Sequence, residues 1–124
     1  MSSALKIARA YYDAWTAGDM DLAMTYVAED VVCDAPAGRI EGAAAYRAFL
    51  EPFTRILRSA TLLGAYGDDG ETAVLVYDTV TVPVASAPAA EHVTVRDGRI
   101  AYSRFIFDRL PFEAARRSPG GNVA

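Results

Sequence analysis

An acidic side chain interrupts a strand face that is otherwise built from valine. In the segment 72–82, the alternation of a β-strand places Asp78 on the same face as Val74, Val76, Val80 and Val82. Burying an isolated carboxylate costs several kcal/mol unless it is paired, protonated or hydrated. If this face lies inside the protein, Asp78 is a candidate for moving a proton within a cavity. The alternative is that the face is solvated, or that Asp78 binds a buried hydroxyl or an arginine.

Glu91 and Tyr11 are the other two candidates for acid–base chemistry. Glu91 shares a strand face with two valines and can therefore face inward, but it lies near a strand start, where acids are often exposed, which makes an exposed position the stronger alternative. Tyr11 and Tyr12 lie about 100° apart on a helix, so at most one of them faces squarely into the core. A buried tyrosine hydroxyl needs a hydrogen-bond partner, and an inward carboxyl group supplies one. The predicted catalytic residues are therefore Tyr11, Asp78 and Glu91.

Apolar side chains can form a pocket around these groups. Large aromatic residues more often build a core than a ligand wall, but their number in this short chain is compatible with an apolar pocket. The predicted ligand-binding residues are Trp15, Tyr26, Phe49, Phe53, Val76 and Phe105.

The single cysteine and the single histidine exclude several other chemistries. Cys33 alone cannot form an internal disulfide, and Cys33 and His92 together cannot build a zinc site. The sequence contains no Gly-x-Ser-x-Gly elbow, no phosphate-binding glycine loop and no dinucleotide fingerprint. Strand parity places His92 on the face opposite Glu91, so a Ser-His-Asp arrangement is not expected. We therefore expect no metal and no cofactor.

The composition is typical of a small acidic globular domain. The chain has 124 residues, a formal net charge of −4 and a pI of about 4.9. This charge argues against a nucleic-acid partner, which requires clustered lysine and arginine. No apolar run approaches the ~18 residues that cross a bilayer, and the first residues lack the apolar stretch of a secretory signal. We expect a cytoplasmic protein with no membrane partner.

The spacing of apolar residues predicts helices first and strands afterwards, an α+β class. The first part of the chain is predicted to form a helix over 4–17, a short helix capped by Asp19, a brief strand at 31–33 and a helix over 42–58 with a kink or a break at Pro52. Four strands follow, over 61–66, 72–82, 90–96 and 99–108, the last two joined by an Asp97-Gly98 hairpin. We expect a single domain over 1–112 and a flexible tail over 113–124.

Three stretches of the sequence, taken together, resemble a known family. They are ARAYYDAWTAGDMD at 8–21, VAEDV at 27–31 and VRDGRI at 95–100. They resemble the SnoaL-like and ketosteroid-isomerase-like proteins of the nuclear transport factor 2-like superfamily, and the resemblance extends over about residues 4–110. It implies a curved antiparallel sheet wrapped around three N-terminal helices, a cone-shaped α+β barrel with a deep apolar pocket, and a homodimer.

The resemblance also implies roles for individual positions. In the isomerases, a tyrosine of the first helix and a protonated acid of the third long strand form the oxyanion hole. Tyr11 and Glu91 stand at these two positions. The general base of the isomerases directly precedes a proline, and here Ala35 occupies that position, so proton abstraction falls to Asp78.

Three functions fit this sequence. The first is a cofactor-independent isomerase or cyclase acting on a hydrophobic polyketide-, terpenoid- or steroid-like molecule. The second is a non-catalytic ligand-binding or accessory protein that keeps the pocket, and the third is a dimerisation module whose pocket is filled by its own aromatic residues. Epoxide hydrolysis is not expected, because Val76 and Phe105 replace the arginine and the second acid that the resemblance implies for that reaction.

Overall fold

Six strands and four helices make up the described part of the chain. The structure is a computed structural model that describes residues 3–67 and 70–117. In chain order the elements are α1 (Ser3–Thr16), α2 (Met20–Met24), β1 (Val27–Ala35), β2 (Gly38–Glu41), α3 (Ala43–Ile56), β3 (Leu57–Tyr66), β4 (Thr72–Thr81), β5 (Ala89–Arg96), β6 (Arg99–Phe107) and α4 (Leu110–Arg117). The predicted α+β class is confirmed.

Helix α1 forms the central support for the inner face of the sheet. Its buried side, which includes Tyr11 and Trp15, packs against β3, β4, β5 and β6. Gly18, with a φ of 84°, turns the chain after this helix in the left-handed conformation. Asp19 then caps α2, because its Oδ1 accepts a hydrogen bond of 3.0 Å from the backbone N–H of Leu22. The predicted cap is confirmed.

Helix α3 continues through Pro52, so of the kink or break predicted at that position the break is wrong. Proline lacks the N–H that would bond the carbonyl of residue 48, and both Ala48 and Pro52 are exposed. Water can therefore satisfy that carbonyl. The hydroxyl of Thr54 donates to the carbonyl of Glu51 at 2.7 Å and supports the same turn.

The sheet is mixed, whereas the sequence predicted only antiparallel pairing. Its strand order is β2-β1-β6-β5-β4-β3, and β1 and β6 are the pair that runs parallel. These two strands are far apart in the chain, so no tight turn determines their relative direction. The Asp97-Gly98 hairpin is confirmed, with φ values of 56° and 77°. One face of this sheet packs on α1 and α3, which gives the cone-shaped α+β fold its core.

The two faces of β4 are the reverse of the sequence prediction. Its buried residues are Ala73, Leu75, Tyr77, Thr79 and Thr81, and the alternate positions lie on the outer face. Tyr77 faces inward because its ring packs against Tyr12 and Trp15 of α1. The predicted inward positions of Asp78 and Val76 are therefore wrong.

The C-terminal segment forms a helix where the sequence predicted a tail from residue 113. Helix α4 spans Leu110–Arg117, and Oδ1 of Asp108 accepts a hydrogen bond of 2.9 Å from the backbone N–H of Leu110. The rest of the predicted tail, 118–124, lies outside the described residues. Within 3–67 and 70–117, no helix is long and apolar enough to cross a membrane.

Candidate functional site

A cavity of about 410 Å³ lies between the helices and the inner face of the sheet. Helices α1 and α3 contribute Trp15, Phe49, Leu50, Pro52, Phe53 and Ile56. The sheet, the loop before β5 and α4 contribute Tyr77, Thr79, Ala87, Ala89, Phe105, Phe107 and Phe112. None of these lining residues carries a charge, so the cavity presents an apolar wall.

Tilted and edge-to-face aromatic contacts build this wall. The ring centroid of Trp15 lies 6.1 Å from that of Phe53 and 5.6 Å from that of Tyr77. The rings of Phe49 and Phe105 lie 5.5 Å apart. Such pairs contribute roughly 0.5–1.5 kcal/mol each beyond the burial of their area. They leave the cavity open, which disfavours the hypothesis of a pocket filled by the chain's own aromatic residues.

Four of the six sequence-predicted ligand-binding residues line the cavity, namely Trp15, Phe49, Phe53 and Phe105. Tyr26 instead packs half-buried against the core, and Val76 lies on the outer face of β4. Sequence reasoning missed Tyr77 and Thr79 because it chose the other face of β4. It missed Phe112 because it placed the end of the domain at this residue.

A buried polar network lies next to the cavity and contains two of the predicted catalytic residues. The hydroxyl of Tyr46 donates to Oε2 of Glu91 at 3.0 Å, and the hydroxyl of Ser103 donates to the same oxygen at 2.7 Å. The hydroxyls of Tyr11 and Tyr46 are also hydrogen-bonded to each other. Since Tyr46 gives its proton to Glu91, Tyr11 must be the donor in that bond. All four side chains are buried, so the predicted inward positions of Tyr11 and Glu91 are confirmed.

Tyr46 and Ser103 were not predicted as site residues, although the sequence carried a signal for each. Tyr46 is a hydroxyl-bearing residue on the otherwise apolar face of α3. Ser103 lies between Ala101 and Phe105 on the buried face of β6. A polar residue within an apolar face requires a buried partner, and here that partner is Glu91.

Burial raises the pKa of Glu91 into the neutral pH range. Its desolvation raises the pKa from 4.5 to about 7, and the hydrogen bonds from Ser103 and Tyr46 oppose this rise. Oε2 already accepts two hydrogen bonds, whereas Oε1 is buried and has no hydrogen-bond partner among the described residues. Oε1 is therefore the oxygen that carries the proton in the neutral form. The pKa values of Tyr11 and Tyr46 are raised, first by burial and then by the charge of Glu91.

The network adjoins the cavity without lining it. Glu91 follows Ala89 by two positions on the same face of β5 and pairs in register with Phe105 of β6. Both Ala89 and Phe105 line the cavity, and the ring of Phe105 also lies 6.3 Å from that of Tyr46. Phe105 therefore contacts the cavity on one side and the network on the other.

Asp78 lies on the outer face of the sheet, where its carboxylate accepts hydrogen bonds from the loop before β5. Its Oδ1 accepts hydrogen bonds from the hydroxyl of Ser86 at 3.1 Å and from the backbone N–H of Ala87 at 3.0 Å. Its Oδ2 accepts a second hydrogen bond from Ser86 at 3.0 Å. These contacts fix the loop between β4 and β5. Asp78 is thus no candidate for proton transfer in the cavity, which corrects the sequence prediction.

A second carboxylate forms a polar cluster on the outer face of β1, β2 and β6. Asp34 binds the guanidinium of Arg39 through both oxygens, at 3.0 and 3.1 Å. Its Oδ2 also accepts hydrogen bonds from Tyr102 at 2.7 Å and from Arg104 at 3.3 Å. The hydrogen bonds of Arg39 and then of Tyr102 lower the pKa of Asp34 to about 2.

Cys33 and His92, the two residues considered for zinc binding and nucleophilic catalysis, do not line the cavity. Burial raises the pKa of the Cys33 thiol to about 12, so this thiol stays protonated. His92 lies on the outer face of β5, beside Val74 and Arg104, as its parity predicted. Across 3–67 and 70–117, no three His, Cys, Asp or Glu side chains are close enough together to hold a metal ion.

A family model described as the SnoaL-like domain matches residues 8–103 of the chain. The chain belongs to the SnoaL-like family. The family resemblance stated from the sequence is confirmed. Among curated proteins, none matches this SnoaL-like chain at a significant level.

Solved structures with the same fold match nearly the whole chain. A protein from Kribbella flavida DSM 17836 is 60% identical with a TM-score of 0.91, over 94% of this chain and 95% of that one. A candidate polyketide cyclase from Xanthomonas campestris pv. campestris is 28% identical with a TM-score of 0.72, over 90% of this chain and 95% of that one. An NTF2-like protein from Cytophaga hutchinsonii ATCC 33406 is 17% identical with a TM-score of 0.76, over 91% and 96%. At 17% identity, the similarity to the Cytophaga hutchinsonii protein shows only that the two chains share a fold.

Proposed function

We propose that this SnoaL-like protein binds a hydrophobic small molecule of polyketide, terpenoid or steroid type in the cavity. The observation that carries the proposal is an apolar, aromatic-lined cavity of about 410 Å³. Small-molecule sites usually have volumes of roughly 300–1,000 Å³ and walls of this composition. Burying the apolar surface of a ligand against such a wall stabilises the complex by roughly 25 cal/mol per Å².

Native mass spectrometry of the purified protein tests this proposal, and Ala89 provides the variant. Ala89 lines the cavity, whereas Ala90 is the next residue on the outer face. We expect a co-purified or added steroid ketone to bind the wild type, Ala89→Phe to lose it, and Ala90→Phe to retain it. Equal binding by all three proteins would place the ligand elsewhere and contradict the proposal.

A second candidate function is a cofactor-independent isomerase or cyclase. It is favoured by one specific observation, the buried Glu91 with a pKa of about 7 and an unpaired Oε1. In this role, neutral Glu91 would donate a hydrogen bond to a substrate oxygen that reaches past Phe105, and Tyr11 would support the network through Tyr46. With Asp78 outside the cavity and alanine at position 35, no lining carboxylate serves as the base, so water would have to accept the proton.

Deuterium exchange at the carbon next to the carbonyl of 2-decalone, followed by NMR, tests the second candidate. Enolisation assisted by Glu91 predicts exchange faster than in buffer, and Glu91→Gln should abolish the acceleration. Asp78→Asn is the matched control, because its carboxylate lies on the outer face and its loss should leave exchange unchanged. Exchange at the buffer rate in the wild type would leave the protein as a binder without this chemistry.

We also propose that the protein acts as a cytoplasmic homodimer. Support comes from two exposed apolar side chains, Ile106 on the outer face of β6, which is 57% exposed, and Leu63 at the irregularity of β3, which is 59% exposed. Ile106→Arg should convert a dimer to a monomer in light scattering. A monomeric wild type at micromolar concentration would contradict the proposed assembly.

A further inference from the structure

We infer that the ligand is an uncharged, oxygen-poor molecule of terpenoid or steroid type. This inference rests on the proposed function and excludes one of the three ligand classes in it, the polyoxygenated polyketides. A polyoxygenated polyketide would present many polar groups to the cavity, whereas a terpenoid alcohol presents a hydrocarbon chain with one polar end.

The cavity wall offers few hydrogen-bond donors to a ligand. Apart from Trp15, Tyr77 and Thr79, the lining side chains are hydrocarbon. The hydroxyl of Thr79 already donates to the carbonyl of Ala87 at 3.2 Å, within the loop before β5. The side chains of Trp15 and Tyr77 can therefore serve one polar end of a ligand, but they cannot serve several oxygens spread over a ring system.

The buried network does not compensate for this shortage. The proton of Tyr46 and that of Ser103 both go to Oε2 of Glu91, and Tyr11 donates to Tyr46. Glu91 does not line the cavity and has a single oxygen without a partner, Oε1, so its neutral form can donate to at most one ligand oxygen. Each further oxygen would be desolvated without a partner, which lowers affinity roughly tenfold per group.

The absence of charge on the wall excludes acidic ligands as well. Among the described residues that line the cavity there is no Arg, Lys or His, and Arg55 and Arg109, which adjoin lining elements in the chain, pair with Glu51 and Glu113 at 3.7 Å. A carboxylate inside the cavity would therefore lose its hydration without gaining a partner. A neutral ligand should bind, and the corresponding carboxylate should not.

Three probes of equal carbon count test the inference by isothermal titration calorimetry. They are farnesol, a terpenoid alcohol, farnesoic acid, its carboxylate counterpart, and naringenin, a neutral polyphenol. At pH 7.5 we expect farnesol to bind at least tenfold more tightly than naringenin and farnesoic acid. Naringenin or farnesoic acid binding as tightly as farnesol would overturn the inference and leave the proposed function standing.

A pair of neighbouring serine variants provides the internal control. Ala89→Ser adds one donor to the cavity wall, and Ala90→Ser adds the same group to the outer face. The preference for farnesol over naringenin should fall roughly threefold in Ala89→Ser and stay unchanged in Ala90→Ser. An equal preference in both variants would also overturn the inference. If none of the three probes binds, and the steroid ketone does not bind either, the proposed function itself fails.

Discussion

Glu91 and Asp34 are both carboxyl groups that accept a hydrogen bond from a tyrosine, yet their pKa values move in opposite directions. The pKa of Glu91 rises to about 7, and that of Asp34 falls to about 2. Glu91 is fully buried and its partners are neutral hydroxyls. Asp34 lies at the surface and binds the guanidinium groups of Arg39 and Arg104. Hydrogen bonds from neutral hydroxyls do not offset the burial that raises the pKa of Glu91. Two arginines, in contrast, keep the pKa of the surface carboxylate of Asp34 low.

The largest expected effect is a fall in stability as pH rises, caused by Glu91. Its pKa is raised in the folded protein, so the folded state holds a proton that the unfolded state releases above about pH 4.5. This contribution is complete below pH 4.5 and is lost as pH rises through about 7, a loss of roughly 3 kcal/mol. Urea unfolding at a series of pH values measures it. Glu91→Gln should remove this slope, and a wild type equally stable at pH 5 and pH 8 would break the comparison.

A smaller effect separates the two tyrosines that donate to these carboxylates. Tyr46→Phe leaves Tyr11 without its acceptor and removes one donor from Oε2 of Glu91, so we expect a loss of about 1–3 kcal/mol in the free energy of unfolding. Tyr102→Phe is the matched change at the surface, and water can replace its hydroxyl. We expect less than about 0.5 kcal/mol for it. If Tyr46→Phe and Tyr102→Phe lowered the free energy of unfolding by similar amounts at pH 6, burial would not explain the difference between the networks of Glu91 and Asp34.

The smallest expected effect concerns Asp34 and has the opposite pH dependence. Its lowered pKa means that the ion pairs stabilise the fold above about pH 3.8 and that this contribution is lost as pH falls through about 2. Asp34→Asn should therefore destabilise the protein slightly at pH 7, and 1 M salt should remove the difference, because the screening length falls to about 3 Å. The slope caused by Glu91 should persist in salt. A salt-sensitive Glu91 slope would contradict its burial.

The fold was largely predictable from the sequence, whereas the faces of β4 were not. Glu91 was placed correctly because the valines beside it are flanked by polar residues on the other face. In β4, both faces carry apolar residues, so alternation alone does not decide which one is buried. The choice depends on Trp15 of α1, whose ring packs on Tyr77. That contact joins two elements that are distant in the chain.

The other differences between the sequence prediction and the structure, at Asp34 and at Phe112, also arise from tertiary contacts. The hydrogen bonds of Asp34 depend on the short strand β2 and on the parallel pairing of β1 with β6, which bring Arg39 and Arg104 to one side chain. Neither pairing has a local sequence signal. Phe112 lies in a short helix that the sequence did not predict, and its ring packs against Phe53 and Phe107 at the cavity.

The one tryptophan of the chain lies in the cavity wall, which gives the protein an intrinsic optical reporter. The ring of Trp15 is 1% exposed and lies 5.6 Å from both Tyr12 and Tyr77, so light absorbed by these tyrosines is transferred to it. Its emission depends on the polarity of the space beside it. A molecule that enters the cavity and displaces water should therefore shift the fluorescence spectrum, without any label and without a known reaction.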